Sequence, residues 1–404
     1  MKFLKRLFKF FFQFAILIVG IIILTLFSFW IELKISKTLP SPKGKYQVGR
    51  MNLHLTDTAR FDSLSPLPFS KRELMVWIWY PAGKPNSSQT VDYIPKQWSQ
   101  ALNEKRGFLM NSLFARDAAK IHAHSFSDAK ISDQQINYPV LLMKSGIGTM
   151  ATDYTTIAEE LASQGYIVVG SDAPYSTWLL RFPDGRLISR TSDGNPGEAA
   201  TISGGSQRTL NRLVQIWSED AHFVLDYLEQ LNTVDSSNPF FNKLNLNSVG
   251  VFGHSFGGAT AAQFCLNDPR CKAGVDLDGA PYGTVIKSGL NKPFMFLLAD
   301  HRSETDSVSE DIKSNIDQIY HSLPENHYWV YLEGAQHFNF SDLPFQKEFL
   351  ISRLSGATGS IGDKRGLRII SSCLLVFFDQ YLKGHASTQI YELNKQFPEI
   401  KFEK

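Results

Sequence analysis

The chain has 404 residues, 43% of them hydrophobic, enough to bury a large core in one or more ordinary domains. Its formal net charge of +2 is unevenly spread: up to Lys45 there are eight Lys and Arg against Glu32 alone, net +7, which leaves about −5 on everything after. A mildly acidic globular part without a basic stripe excludes the electrostatic footprint of a nucleic-acid binder, and three cysteines are too few to staple a domain of this size.

From Phe10 to Ile31 there is no charge, and only Gln13, Thr25 and Ser28 are clearly polar. As a helix those ~22 residues span about 33 Å, enough to cross a hydrocarbon core. A cleavable signal is the alternative, but its apolar region should be shorter and end on small residues, whereas this one ends Phe-Ser-Phe-Trp-Ile. The denser basic cluster precedes the span and Trp30 suits an interface, so the expected topology is N-terminus inside and globular part outside the cytoplasm. The expected division is a membrane anchor over 1–36, a Pro/Lys/Gly linker over 37–45 and one domain over 46–404.

Strand signals follow at Met75 to Tyr80, stopped by Pro81, then at 139–143 and 166–170, short continuous apolar runs of the kind buried on both faces. Asp153 to Gln164 and Ser206 to Leu231 carry helical spacing. Further strands are signalled at 248–252, 273–277, 294–299 and 327–332, with helices over 307–321, 344–354 and 363–382. Strands alternating with helices predict an α/β fold, a mostly parallel sheet with helices on both faces. Two segments escape the alternation, 82–136 and the Gly, Asp, Arg and Ser-rich 174–205, and long loops of this kind are commonly functional. Cys265 and Cys271 are near enough to bridge, although a buried thiol is the expected fate of Cys265. No Cys/His grouping has zinc spacing and no loop matches a phosphate-binding pattern, so neither metal nor cofactor is expected.

Gly253-His-Ser-Phe-Gly257 sits between the strand signal at 248–252 and a helix beginning at Gly258. That is the setting of a nucleophile elbow, in which flanking glycines allow a tight turn that lifts the Ser255 hydroxyl above the sheet. A serine needs a base and a group to orient the base, in the chain order Ser, acid, His. His337 follows the last strand signal and is the candidate base; His254 cannot swing round to Ser255 and is expected to pack under the elbow. The residues leave two candidate acids, Asp278 and Asp300, each following a strand, while Asp276 lies within one and would need partners if buried. The oxyanion needs two backbone N–H donors. One is expected from Phe256 and the other from the loop Ser145-Gly-Ile-Gly-Thr after the strand at 139–143.

With these residues placed, the chain resembles the platelet-activating-factor acetylhydrolase family, calcium-independent phospholipases A2 of the α/β-hydrolase fold. The resemblance covers roughly residues 40–345 and is strongest in Gly-His-Ser-Phe-Gly-Gly-Ala-Thr (253–260). It implies that the acid is Asp278, in the pair Leu277-Asp278, that His337 with Asn339-Phe340 is the histidine segment, and that Ile147 is the second oxyanion donor. The family has a His-Gly pair where this chain has Ser145-Gly146, and an apolar interfacial helix for which Gly107 to Ala115 is a shorter candidate. The implied activity is Ser-His-Asp hydrolysis of phospholipids with short or oxidised sn-2 acyl chains at a membrane surface. Rival readings are a general esterase of soluble esters, polyesters or lactones, and a catalytically silent, membrane-tethered binding module. Asn86-Ser-Ser and Asn339-Phe-Ser match the glycosylation pattern.

Overall fold

The computed structural model of the chain describes residues 2–85, 89–113, 115–127, 129–196, 205–234, 236–324, 327–346, 356–386 and 389–403. Nine strands form one sheet: β1 (Gln47–Phe61), β2 (Lys71–Ala82), β3 (Tyr138–Lys144), β4 (Ile167–Ser171), β5 (Leu244–His254), β6 (Cys271–Leu277), β7 (Phe294–Ala299), β8 (Tyr328–Leu332) and β9 (Ile400–Phe402). Their spatial order is β9-β8-β7-β6-β5-β3-β4-β2-β1. The six strands from β8 to β4 run parallel, and antiparallel strands close the sheet at both ends. The apolar runs read as doubly buried strands are that: every residue of β3 and β4 is buried, and so is every residue of β7.

Alternation along β3 divides the core in two. Leu141 and Met143 pack with α3 (Thr155–Ser163) and α7 (Asp363–Lys383) on one face. Val140 and Leu142 pack on the other with α4 (Gly205–Thr233), α5 (Phe256–Asn267) and α6 (Ser307–Tyr320). Each fully buried Leu, Ile or Phe in these layers contributes about 1.5–3 kcal/mol. The strand order reverses between β3 and β5, and a crevice outside the carboxyl ends of the strands at such a switch is where doubly wound sheets bind ligands.

Several expectations change. Pro81 does not stop β2, which runs on to Ala82; β4 pairs only with Val76 to Trp79, and beyond it residues 130–132 meet the strand through Ser132 N–H to the Pro81 carbonyl, a contact that needs no N–H from Pro81. The long β1 went unread, although Met51, Leu53 and Leu55 alternate with polar residues. Residues 82–136 are no irregular loop: they hold α2 (Lys96–Leu113) and bury Tyr93, Ile94, Trp98 and Leu102 in the core. Gly107, at φ 77°, interrupts α2; the proposed interfacial helix begins there, and most of its side chains, with Phe114, lie outside the described residues, as do Asn86 and 347–354. Cys265 pairs with Cys271 in a disulfide joining the end of α5 to the start of β6, and Cys373 is the free, buried thiol.

The N-terminal helix α1 (Lys2–Lys34) is long and apolar enough to cross a bilayer and is exposed along its apolar stretch. Its last turn is docked. Arg116, buried, donates to the carbonyls of Glu32 (2.8 Å) and Ile35 (3.0 Å), to Glu32 Oε1 (2.6 Å) and to the carbonyl of Phe345, while Leu33 is buried beside it. The guanidinium supplies the donors that the terminal carbonyls of a helix lack.

A second buried arginine ties β2 to α4. Arg72 meets Asp220 through Nη2 (2.6 Å) and Nε (3.1 Å) and Asp62 through Nη1 (3.0 Å). Removing one partner of a buried pair strands the other charge. Arg72→Met is therefore expected to lower unfolding free energy by about 3 kcal/mol in urea titration, since Asp220 keeps Arg60 but Asp62 loses its cation.

Candidate active site

β5 delivers Ser255 to the mouth of the sheet in a backbone conformation that few residues adopt, φ 56° and ψ −125°. Such a conformation costs of order 1–3 kcal/mol and persists only where its surroundings impose it. Here the imposition is contact. A Cβ at Gly253 would stand 2.1 Å from the carbonyl oxygen of Gly257, and one at Gly257 would stand 2.2 Å from that of Lys144. The two glycines let β5, α5 and the end of β3 close on each other, and Ser255 N–H donates to Leu277 O at 2.8 Å, which fastens the turn to β6.

Asp278, the residue directly after the acceptor of that hydrogen bond, also has positive φ (54°) and is buried. Its Oδ2 accepts from His337 Nδ1 at 2.6 Å; its Oδ1 accepts from Ala299 N at 2.8 Å and from His301 Nε2 at 2.8 Å. Burial would raise this carboxyl, but the hydrogen bonds from His301 and His337 outweigh it and hold the group far below the usual carboxylate range. Asp300 is turned elsewhere, paired with Arg302 at 2.7 and 2.8 Å. Of the two acids that the residues left open, Asp278 is the one brought to His337. Asp276 is buried with Oδ1 accepting from Gly279 N at 2.7 Å, and burial pushes its carboxyl well above the ordinary value.

His254 lies under the elbow as expected. Nε2 donates to the carbonyl of His337 at 2.9 Å, which makes Nδ1 the acceptor of the Tyr154 hydroxyl at 2.8 Å. Tyr154 Oη in turn accepts from Gly146 N at 3.1 Å. Burial, then the neighbouring His337, push the His254 imidazole down to about 3, so it is neutral and the chain of donors keeps one sense. The loop after β3 and the loop bearing His337 are thereby joined through Tyr154, a residue that sequence reasoning passed over because a tyrosine within a helical pattern carries no sign of its partner.

Gly146 brings this loop against the serine: a Cβ there would lie 3.2 Å from Ser255 Cβ. Among the described residues neither Ile147 N–H nor Phe256 N–H donates to a protein acceptor, and both side chains belong to the same apolar cluster around Trp217. The segment 174–178 lies alongside this loop, with Gly148 N donating to Ser176 O and Trp178 N to Gly148 O.

Ser255, Asp278 and His337 line one cavity of about 230 Å³, together with Leu298, Ile312 and His301. Ligand atoms of His254, Asp278 and His337 come within 4.8 Å of each other, the spacing of a metal site. Both ring nitrogens of His254 are already engaged, however, and His337 Nδ1 is held by Asp278. Asn339, which matches the glycosylation pattern, is fully buried and accepts from Gln336 N and Gly359 N, so it braces the loop of His337.

The model of the family described as platelet-activating factor acetylhydrolase, isoform II, matches residues 32–173 and 207–396. A probable 1-alkyl-2-acetylglycerophosphocholine esterase of Arthroderma benhamiae is 25% identical over 389 residues, covering 90% of this chain and 93% of that protein. The platelet-activating factor acetylhydrolase of Cavia porcellus is 25% identical over 367 residues, covering 85% of this chain and 78% of its own length. Among solved structures, a ferulic acid esterase from Streptomyces cinnamoneus superposes with a TM-score of 0.73 at 25% identity, over 91% of this chain and all of that one. The α/β-hydrolase fold expected from the sequence is thereby shown, and the matched region extends beyond the residues that carried the resemblance.

Tyr154→Phe leaves a buried N–H at Gly146 and a buried acceptor on His254 without their partner. The expected outcome is a loss of about 1–3 kcal/mol in urea unfolding, with a fall in ester hydrolysis larger than any fall in the folded fraction.

Proposed function

Because the chain belongs to the platelet-activating factor acetylhydrolase, isoform II, family of ester-hydrolysing enzymes, we propose that Ser255, His337 and Asp278 act as nucleophile, base and orienting acid in acyl transfer from a phospholipid. The observation that carries the reading is the 2.6 Å bond from His337 Nδ1 to Asp278, made at the edge of a cavity that His337, Asp278 and Ser255 all line. In this reading His337 takes the hydroxyl proton as Ser255 Oγ attacks the ester carbonyl. The proton then passes to the leaving alcohol, and water repeats the sequence on the acyl-enzyme. Asp278 favours the imidazolium that forms in between, and the N–H groups of Phe256 and Ile147 receive the oxyanion.

The substrate we infer is a phospholipid with a short or oxidised sn-2 acyl chain. A cavity of about 230 Å³ is small for a binding site and suits a short acyl group better than a palmitoyl chain. We further propose a single-pass membrane protein, N-terminus cytoplasmic and catalytic domain outside. The apolar α1 supports this, and the Cys265–Cys271 disulfide agrees with an oxidising compartment.

One observation favours a second reading, a general esterase of soluble esters. The family model does not match 174–206, of which 174–178 lies against the loop after β3, and the fold is equally that of a ferulic acid esterase. Hydrolysis of vesicle-borne phosphatidylcholines from sn-2 acetyl to palmitoyl, beside a water-soluble acetyl ester, separates the two. The lipid reading expects a steep fall in rate with acyl length and preference for the phospholipid; better use of the soluble ester overturns it. Ser255→Ala is expected to abolish turnover of every substrate while the thermal midpoint stays within a few degrees, and retained turnover in a folded variant sinks the catalytic assignment.

A further inference from the structure

The two ring nitrogens of His301, in the loop after β7, each face a carboxylate, Nε2 to Asp278 Oδ1 and Nδ1 to Glu304 Oε1, both at 2.8 Å. An ionised carboxylate only accepts, so both bonds exist together only if both ring nitrogens carry protons. We propose that His301 is a positioning residue held as an imidazolium between Asp278 and Glu304, and that its charge sets how far into acid His337 remains free to accept the Ser255 proton. This rests on the reading of Ser255 and His337 given above.

The surroundings favour the charged ring. From the end of β6 come Asp278 and Asp276, from the loop after β8 comes His337, and behind it, from the end of β5, comes the neutral His254. From α6 come Ser309, which donates to Glu304 Oε2 at 2.9 Å, and Lys313, whose ammonium is taken up by the Glu304 carbonyl at 2.8 Å. From β8 comes Tyr331, pushed up to about 12 mainly by burial and hence uncharged. On its own loop Asp300 and Arg302 neutralise each other. The hydrogen bond to Asp278 is the largest influence on His301, exceeding the opposing effect of burial, and raises the ring to about 9.

The consequence falls on His337. Asp278 shares its charge between two rings, so a positive charge on His337 is formed against one already present on the far side of the same carboxylate. That arrangement weakens the attraction holding a proton on His337 and keeps the base available at lower pH than a lone Asp-His pair would. The cost is a smaller stabilisation of the imidazolium formed during acyl transfer.

The test is the pH dependence of kcat/KM for a water-soluble acetyl ester with wild type, His301→Gln and His301→Arg. Glutamine keeps a donor toward Asp278 but no charge, and is expected to move the midpoint of the acidic limb up by about one pH unit. Arginine restores a charge and a planar donor and is expected to return the midpoint toward wild type. A residue of purely structural importance would lower the rate at all pH values and leave the midpoint in place, and an unmoved midpoint in the glutamine variant overturns the proposal. If that variant does not fold, the wild-type histidine ring nitrogens decide by NMR: the ring bonded to Asp278 and Glu304 is expected to stay doubly protonated through pH 8, and a neutral ring at pH 7 overturns the proposal equally. Failure of this inference leaves Ser255→Ala inactive, whereas failure of the catalytic reading leaves it active, so the two are told apart.

Discussion

A carboxylate taken out of water without partners costs several kcal/mol, and the architecture at the mouth of the sheet can be understood as the means of keeping one there. Asp278 is 7% exposed. Its oxygens are met by a backbone N–H from the end of β7 and by two imidazoles carried on separate loops, one after β7 and one after β8. Three consecutive parallel strands, β6, β7 and β8, thus converge on a single side chain. Adjacent parallel strands end side by side, and the loops that follow them reach the same point whatever helices intervene.

The serine depends on a different constraint, backbone contact. Its conformation is imposed by the approach of Gly253 to Gly257 and of Gly257 to the end of β3, distances that no side chain at either position would allow. The same approach places Gly146 against Ser255 and brings Tyr154 within reach of both that loop and His254. Replacement of the family's His-Gly pair by Ser145-Gly146 keeps the glycine, which the contact requires. The residue before it changes, and the Ser145 hydroxyl is buried without a partner among the described residues.

Much of this was legible in the chain because the signals were local. The elbow declares itself through glycine spacing between a strand and a helix, the doubly buried strands through unbroken apolar runs, and His337 through its place after the last parallel strand. The choice between Asp278 and Asp300 was not legible in the residues alone. Both follow strands, and what separates them is a positive φ at Asp278 that turns its carboxyl toward two loops, while Arg302 draws Asp300 aside. The roles of Tyr154 and His301 were hidden for the same reason, since their partners lie 100 and 23 residues away. The disulfide was underestimated because a buried helical cysteine looks alike in sequence whether or not the next strand begins with its partner. By contrast β1 was readable, through Met51, Leu53 and Leu55, and its polar alternation is what an antiparallel strand at a sheet edge requires.

The docking of α1 bears on how such an enzyme would sit in a bilayer. Arg116 holds the last turn of the apolar helix and the carbonyl of Phe345 with one guanidinium, and Phe345 lies eight residues beyond His337 on the same segment. A helix joined by a slack linker adjusts its tilt to membrane thickness without consulting the domain it carries. Here a change of tilt would load hydrogen bonds shared with the segment of His337, so hydrophobic mismatch would be felt at the catalytic end of the sheet. Under the proposed single-pass topology, the thickness of the membrane would then act as a mechanical input to the segment that carries His337.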